Sequence, residues 1–189
     1  MVYIYHHINS GEEKIGELQK NKLESIFNFK FIYNKNVIPL TKNEWDTFFK
    51  IYLNRYEFKN DDIIFFLNSS ISNTLWKELL ETELIFNFKF YIDKIKKGYN
   101  TSGCCFGVPE YTEKFYGGFW YMRCDYLKTI EKKENWEMNN MGESCFIGSG
   151  KNWNPYTNLI LNYNNYPFLL SHLLNQFSEK NLIYIFGKN

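Results

Sequence analysis

Alanine is absent from this chain of 189 residues, and arginine occurs only at Arg55 and Arg123. Ala, Arg and Gly have GC-rich codons, so this composition reads as the imprint of an AT-rich coding sequence. Cysteine is sparse, with Cys104, Cys105, Cys124 and Cys145 making up all four. Neighbouring Cys104 and Cys105 would point to opposite faces of a strand, which is unlike a CxxC metal site. The only histidines are His6, His7 and His172, and no zinc-ligand spacing emerges. A domain of this size needs no disulfide framework, so all four thiols are expected to be reduced and mostly packed. Excess charge of one sign is lacking too: Lys and Arg total 22 against 21 Asp and Glu, a net charge of +1. That excludes a bulk positive field for phosphates, and no nucleic-acid partner is expected. No apolar run approaches the roughly 18 residues needed to cross a bilayer, so no membrane span is expected. The opening MVYIYHHINSGEE lacks the basic and apolar regions of a signal peptide, which predicts a cytoplasmic location.

Aromatic residues are abundant, at 20% with 18 Phe and 15 Tyr. Hydrophobic residues make up 44%, too many for a disordered chain with so little net charge. Neither an internal repeat nor a linker interrupts the sequence, which predicts one domain over 1–189.

Val2–His7 is rich in β-branched and aromatic residues and predicts a first strand. Ser10-Gly11-Glu12-Glu13 resembles a helix start with an acidic first turn, followed by helical spacing of Ile15, Leu18, Leu23 and Ile26 to about Phe27. Phe29–Tyr33 predicts a second strand, Asn34-Lys35-Asn36 a turn, and Val37–Leu40 an extended piece that Pro39 keeps from a central position. Thr41 and Glu44 match a capping box, and Trp45, Phe48, Phe49 and Tyr52 form one apolar helix face. Ile63–Leu67 is continuously apolar, which suits a strand buried on both faces, and Asn68-Ser69-Ser70 ends it. A long helix is expected from Asn73 or Thr74 to about Lys97, an extended segment over Tyr99–Val108 and a loop over Pro109–Phe115. The turn Gly117-Gly118-Phe119-Trp120 leads into a strand through Arg123. A short helix over Asp125–Lys132, mostly loop over Glu134–Tyr156, a helix near Phe168–Phe177 and a last strand over Leu182–Phe186 complete the chain. Strands alternating with helices predict an α/β fold with a mainly parallel sheet.

In such folds ligands bind at the carboxyl ends of the strands. The residues to weigh are therefore His6, His7 and Asn9 after the first strand, and Asn68, Ser69 and Ser70 after the buried strand. Glu110 and Tyr111 follow the Tyr99 strand, and the Gly117–Trp120 turn and Arg123 complete the set. Of His6 and His7, one is expected to face the core and the other outward, more often with a structural role than a nucleotide contact. Glu44 and Asp46 read as capping residues, and Phe119 and Trp120 either as core or as a wall that stacks on a sugar or base. Arg123 stands out where Lys serves nearly everywhere else: it either provides bidentate geometry or pairs with Asp125 or Glu143. Glu143 reads as a loop acid or as a general base.

Five segments resemble the small GT-A-type glycosyltransferases of bacterial surface-polysaccharide loci and large DNA viruses. VYIYHHINSGEEKIGELQKNKLESI resembles that family's first strand, Asn-containing loop and first helix, and NEWDTFFKIY its Asn-Glu-aromatic-Asp-Thr-Leu helix start. DDIIFFLNSS stands where the family has a strand ending in Leu-His-Thr-Lys-Gly. GGFWYMRCDYLKTI resembles a Gly-Asn-Phe-Trp-Trp motif, and GESCFIG the acidic segment after it. The likeness covers roughly Met1 to Gly148, and GFWYxRxDYL is its most specific element.

The resemblance implies a single GT-A-like (Rossmann-like) domain with a mixed, mostly parallel sheet flanked by helices. It implies transfer of a sugar from a nucleotide-sugar donor, of UDP type, to a glycan or other sugar acceptor, with Mn or Mg as a candidate cofactor. His6, His7 and Asn9 would hold the nucleotide, and Glu44, Asp46 and Thr47 would shape the donor pocket. Asn68, Ser69 and Ser70 would lie beside the diphosphate, and Gly117, Gly118, Phe119 and Trp120 would line the donor sugar. Arg123 and Glu143 would be the catalytic pair. The chain departs from the family where Asn68-Ser69-Ser70 replaces His-Thr-Lys, where Gly118 replaces Asn, and in lacking Asp-x-Asp after the buried strand. Asp61-Asp62 precedes that strand, at its wrong end. These departures motivate an alternative, a non-catalytic sugar-binding or interaction module on the same scaffold. A nucleotidyltransferase reading is weaker, since His7-Ile8-Asn9-Ser10-Gly11 carries a single glycine.

Overall fold

The computed structural model describes residues 1–39, 45–69, 80–103, 106–107, 114–115, 119–131, 147–157 and 160–161. Strand β1 (Val2–Asn9) leads through helix α1 (Glu13–Ile26) to β2 (Phe31–Ile38), and α2 (Trp45–Leu53) leads to β3 (Ile63–Asn68). A π-helical turn (Thr82–Phe86) precedes α3 (Phe88–Lys96). Short strands β4 (Thr101–Gly103), β5 (Phe106–Gly107) and β6 (Lys114–Phe115) come next. Strand β7 (Trp120–Arg123) runs directly into the short helix α4 (Cys124–Leu127), and β8 (Pro155–Thr157) and β9 (Ile160–Leu161) follow.

The main sheet has six strands in the order β2-β1-β3-β7-β4-β8, and β6-β5-β9 form a smaller one. β1 pairs in parallel with β2 and β3, and β4 pairs in parallel with β8. β7 runs antiparallel between β3 and β4. The fold is therefore α/β with a mixed, mostly parallel sheet flanked by helices, as the alternation of strand and helix patterns predicts.

The continuous apolar runs of β1 and β3 follow from burial on both faces. On one face Ile4, Phe65 and Tyr121 pack against Leu23 of α1 and against Phe88, Tyr91 and Ile95 of α3. On the other Tyr5, Phe66 and Trp120 pack against Phe48 and Ile51 of α2 and Tyr126 of α4. Phe65 stacks on Tyr121 at 4.2 Å, and Phe66 stacks on Trp120 at 5.1 Å. Each such fully buried apolar side chain contributes about 1.5–3 kcal/mol. Helix α1 lies so close to β1 that a Cβ on Gly16 would fall 2.4 Å from Ile8 Cδ1.

Several segments differ from expectation. Asn34-Lys35-Asn36 is not a turn: β2 continues through it, each residue in register with Tyr5, His6 and His7 of β1. Polar residues are tolerated there because Asn36 finds hydrogen-bond partners on α2. The expected long helix is interrupted by the π turn and Asn87 ahead of α3. Pro155–Thr157 is a strand rather than loop, and so is Lys114–Phe115. The helix expected over Asp125–Lys132 is only Cys124–Leu127. The expected elements near Phe168–Phe177 and Leu182–Phe186 lie outside the described residues. Cys124 is buried, with its thiol pKa raised to about 12 by burial, and Cys104, Cys105 and Cys145 lie outside the described residues.

Candidate functional site

The chain leaves β1 through α1 on one face of the sheet and returns from β2 through α2 on the other. β2 and β3 therefore flank β1 on opposite sides, and the carboxyl ends of β1 and β3 lie side by side. The carboxyl ends of strands are where open α/β sheets bind ligands. His7, Asn9, Glu12, Asn68 and Ser69 converge there. Ser69 N donates to the carbonyl of His7 at 2.9 Å. Ser69 Oγ accepts from Asn9 N at 3.2 Å and donates to Glu12 Oε2 at 2.7 Å. The rim thus carries a hydroxyl already committed to a carboxylate.

His6 and His7 are both buried, at 0% and 1% exposure, so neither faces outward, contrary to expectation. Successive residues of β1 point to opposite faces, and helices cover both. Each histidine lies in a hydrogen-bond chain whose direction its end groups dictate. On the α1 side, Lys22 Nζ donates to Glu81 Oε2 and Gln19 Nε2 donates to Glu81 Oε1 at 2.9 Å. Gln19 therefore turns Oε1 to His6 Nε2 at 2.8 Å, and that nitrogen carries the proton. The remaining nitrogen, Nδ1, accepts from Tyr33 Oη at 2.7 Å. Burial, with Glu17 and Glu24 nearby, holds the Tyr33 phenol protonated far above its ordinary range.

On the α2 side, Lys50 Nζ donates to Asn36 Oδ1, so the Asn36 amide nitrogen faces Thr47 Oγ1, at 2.6 Å. Thr47, fully buried, can then direct its own proton only to His7 Nδ1 at 3.0 Å. His7 is left neutral, with its proton on Nε2 and directed at Asn9 Oδ1, 3.1 Å away. Burial holds the His7 pKa below the ordinary imidazole value, while Asn9, Asp46 and Glu12 pull the other way. The His7 N–H therefore holds Asn9 Oδ1, so that the Asn9 amide NH₂ turns to whatever enters the crevice. Glu12 supplies the carboxylate.

The other expected residues fall elsewhere. Asp46 lies one residue before Thr47 at the start of α2 and acts on His7 through its charge. Asn68 is buried beside His7 in register, and its carbonyl accepts from Gln19 at 3.4 Å. Phe119 and Trp120 are both fully buried in the core, one on each face of the sheet. Trp120 stacks on Phe66, and neither ring reaches the surface, so the expected wall for a sugar is not formed by these two rings. Arg123 is paired in register with Ile63, the first residue of β3, because β7 runs antiparallel. That puts it at the opposite edge of the sheet from His7, where its Nε donates to Asp125 Oδ1 at 2.5 Å. The salt-bridge expectation for Arg123 thus holds, and its place among the crevice residues does not. Asp62 is buried at that same far edge, as expected. Glu44, Ser70, Glu110, Tyr111, Gly117, Gly118 and Glu143 lie outside the described residues.

Sequence reasoning missed Glu12, Gln19, Asn36, Lys50 and Glu81. Glu12 was legible only as helix-start acidity, and Asn36 was masked by its turn-like neighbours. Among the described residues, no three His, Cys, Asp or Glu side chains gather to hold a metal ion, and no helix is long and apolar enough to cross a membrane. No protein-family model matches the chain, and no curated protein is significantly similar to it.

Proposed function

We propose that the protein is a nucleotide-sugar-dependent glycosyltransferase of GT-A type whose donor binds in the crevice beyond β1 and β3. The observation that carries this reading is the convergence of buried His7, Asn68 and Ser69 with half-buried Asn9 at the carboxyl ends of β1 and β3. A mixed, mostly parallel sheet flanked by helices is also what the sequence resemblance implies. In this reading the Asn9 amide NH₂, oriented by His7, donates a hydrogen bond to the nucleotide, and Ser69 sits beside the diphosphate. Transfer breaks the bond from the anomeric carbon to the diphosphate oxygen and forms one to an acceptor hydroxyl. The hydroxyl proton passes to a base, for which the resemblance nominates Glu143. A UDP-sugar is the first donor to test, with a glycan as acceptor.

A divalent cation, Mn or Mg, would neutralise charge on the leaving diphosphate when bound. Mg²⁺ sites often use one or two carboxylates with phosphate oxygens and water. Glu12 fits such a role, since it is the crevice carboxylate and already accepts a hydrogen bond from Ser69.

A thermal-shift panel of UDP-, GDP-, dTDP- and CMP-sugars, each with and without Mn²⁺, tests this reading. A donor at about 100 times its Kd should add roughly 2.7 kcal/mol of stability. A shift for one nucleotide class, lost in Asn9→Ala, is expected. No shift with any donor on folded protein overturns the proposal. One observation favours the non-catalytic binding module as a second reading: neutral Asn68 and Ser69 stand where the resemblance has His-Thr, and Ser69 is bound to the Glu12 carboxylate, while Ser70 replaces the lysine in the sequence. Steady release of nucleoside diphosphate, abolished by Glu143→Gln, would exclude that module.

A further inference from the structure

A cavity of about 340 Å³ lies away from the crevice, between the outer strand β2 and α2. Its lining includes Tyr5, Asn34, Lys35, Asn36, Lys50 and Asn54. Three amides and the Lys50 ammonium meet there beside the Tyr5 phenol, whereas Lys35, in register with His6, belongs to the α1 face of β2; no carboxylate lies among the described residues of the wall. Amides and ammonium groups suit phosphate oxygens, which take charge-assisted hydrogen bonds. Asn54 and the Tyr5 phenol both line this wall.

We propose that this cavity is a second binding site, for a small phosphate-bearing ligand, and that its occupancy sets which nitrogen of His7 carries the proton in the crevice. The link is the chain Lys50–Asn36–Thr47–His7–Asn9. Lys50 has only donors, so in the empty state Asn36 must present Oδ1 to it. Every later bond in the chain inherits that direction. A phosphate in the cavity attracts the Lys50 ammonium and accepts from the Asn36 amide NH₂. The amide, nearly equal in shape at its two ends, then turns Oδ1 toward Thr47. Thr47 donates to Asn36 and accepts from His7 Nδ1–H. The imidazole loses a proton from Nε2 to water and gains one at Nδ1, so its charge and proton count do not change. The Asn9 amide turns to donate to the bare Nε2. The crevice thereby exchanges an N–H donor for an acceptor without movement of the backbone. This site and its coupling stand whatever the crevice binds.

The test is an imidazole ¹⁵N NMR titration with inorganic phosphate, glucose 1-phosphate and glucose, with the His7 signals assigned by His7→Gln. Phosphate is expected to move the His7 proton from Nε2 to Nδ1. Tighter binding of glucose 1-phosphate would identify a sugar phosphate as the ligand, and equal binding would identify free phosphate. Glucose alone should do nothing. Lys50→Met should weaken phosphate binding by about tenfold or more, as loss of a charged hydrogen bond does. Lys50→Arg should retain most of the affinity. Without ligand, Lys50→Met should also give a mixture of His7 tautomers, because nothing then dictates the Asn36 orientation. Ser69→Ala, in the crevice, should leave the cavity affinity intact. Phosphate binding lost in Ser69→Ala but kept in Lys50→Met would overturn the site. No binding of either phosphate compound would do the same, and a His7 proton that stays on Nε2 at saturation would overturn the coupling.

Discussion

His6 and His7 are adjacent on one strand and equally buried, yet their surroundings differ in kind. The His6 chain runs from the Tyr33 phenol to Glu81, which ends in an ion pair with Lys22. Glu81 is 2% exposed, so a charged group anchors that chain inside the protein. The His7 chain runs from Lys50 at the surface to Asn9 at the rim of the crevice. Its ends both meet solvent-facing places, and its links are neutral groups that can reverse. An imidazole fixed by buried charge is a structural element. An imidazole held by reversible amides and a hydroxyl can respond to a ligand.

The largest effect separating the two chains is expected from Gln19→Leu. It removes a buried hydrogen bond from His6 Nε2 and another from Glu81 Oε1, each worth about 1–3 kcal/mol, for a loss of roughly 3 kcal/mol or more. Urea unfolding at pH 7 measures it, and a loss under about 1 kcal/mol would show that the His6 chain does not anchor the fold. Thr47→Val should cost less, about 1–3 kcal/mol, because neutral partners on the other face can turn toward one another or water. If Thr47→Val costs more than Gln19→Leu, the contrast between the faces is reversed.

The smallest effect is in pH dependence. The folded pKa of His7 lies below the ordinary value of 6.5, so the unfolded chain binds a proton that the folded one refuses. Stability is therefore fully present above about pH 6.5 and falls as the pH drops below it. His7→Gln should flatten the fall between about pH 7 and pH 5.5 relative to the parent chain. An unchanged slope would mean that His7 does not enter folding as a neutral imidazole.

Much of the fold is legible in local pattern. The continuous apolar run of Ile63–Leu67 implies burial on both faces, and the alternation of strands and helices implies the α/β class. Asn34–Asn36 illustrates the limit: composition there favours a turn, and pairing with β1 overrides it by giving each backbone group a partner. The site was legible in part. Its location after β1 and β3 follows from the parallel arrangement, and Asn9 and Ser69 meet as that rule implies. Arg123 misleads because the direction of β7 cannot be read from residues that suit either direction. Trp120 misleads because an aromatic ring suits a core as well as a sugar.

Neighbours along the chain suffice to say which segments are apolar enough to be strands and helix faces, since hydrophobic period is a local property. They also suffice to place both histidines near the end of the first strand. What the two imidazoles touch is a matter of packing in three dimensions. Gln19 and Glu81 approach one face of the sheet, and Thr47, Asn36 and Lys50 approach the other, from elements far apart in the sequence. Proton positions on an imidazole depend on such partners in space, and no local pattern encodes them.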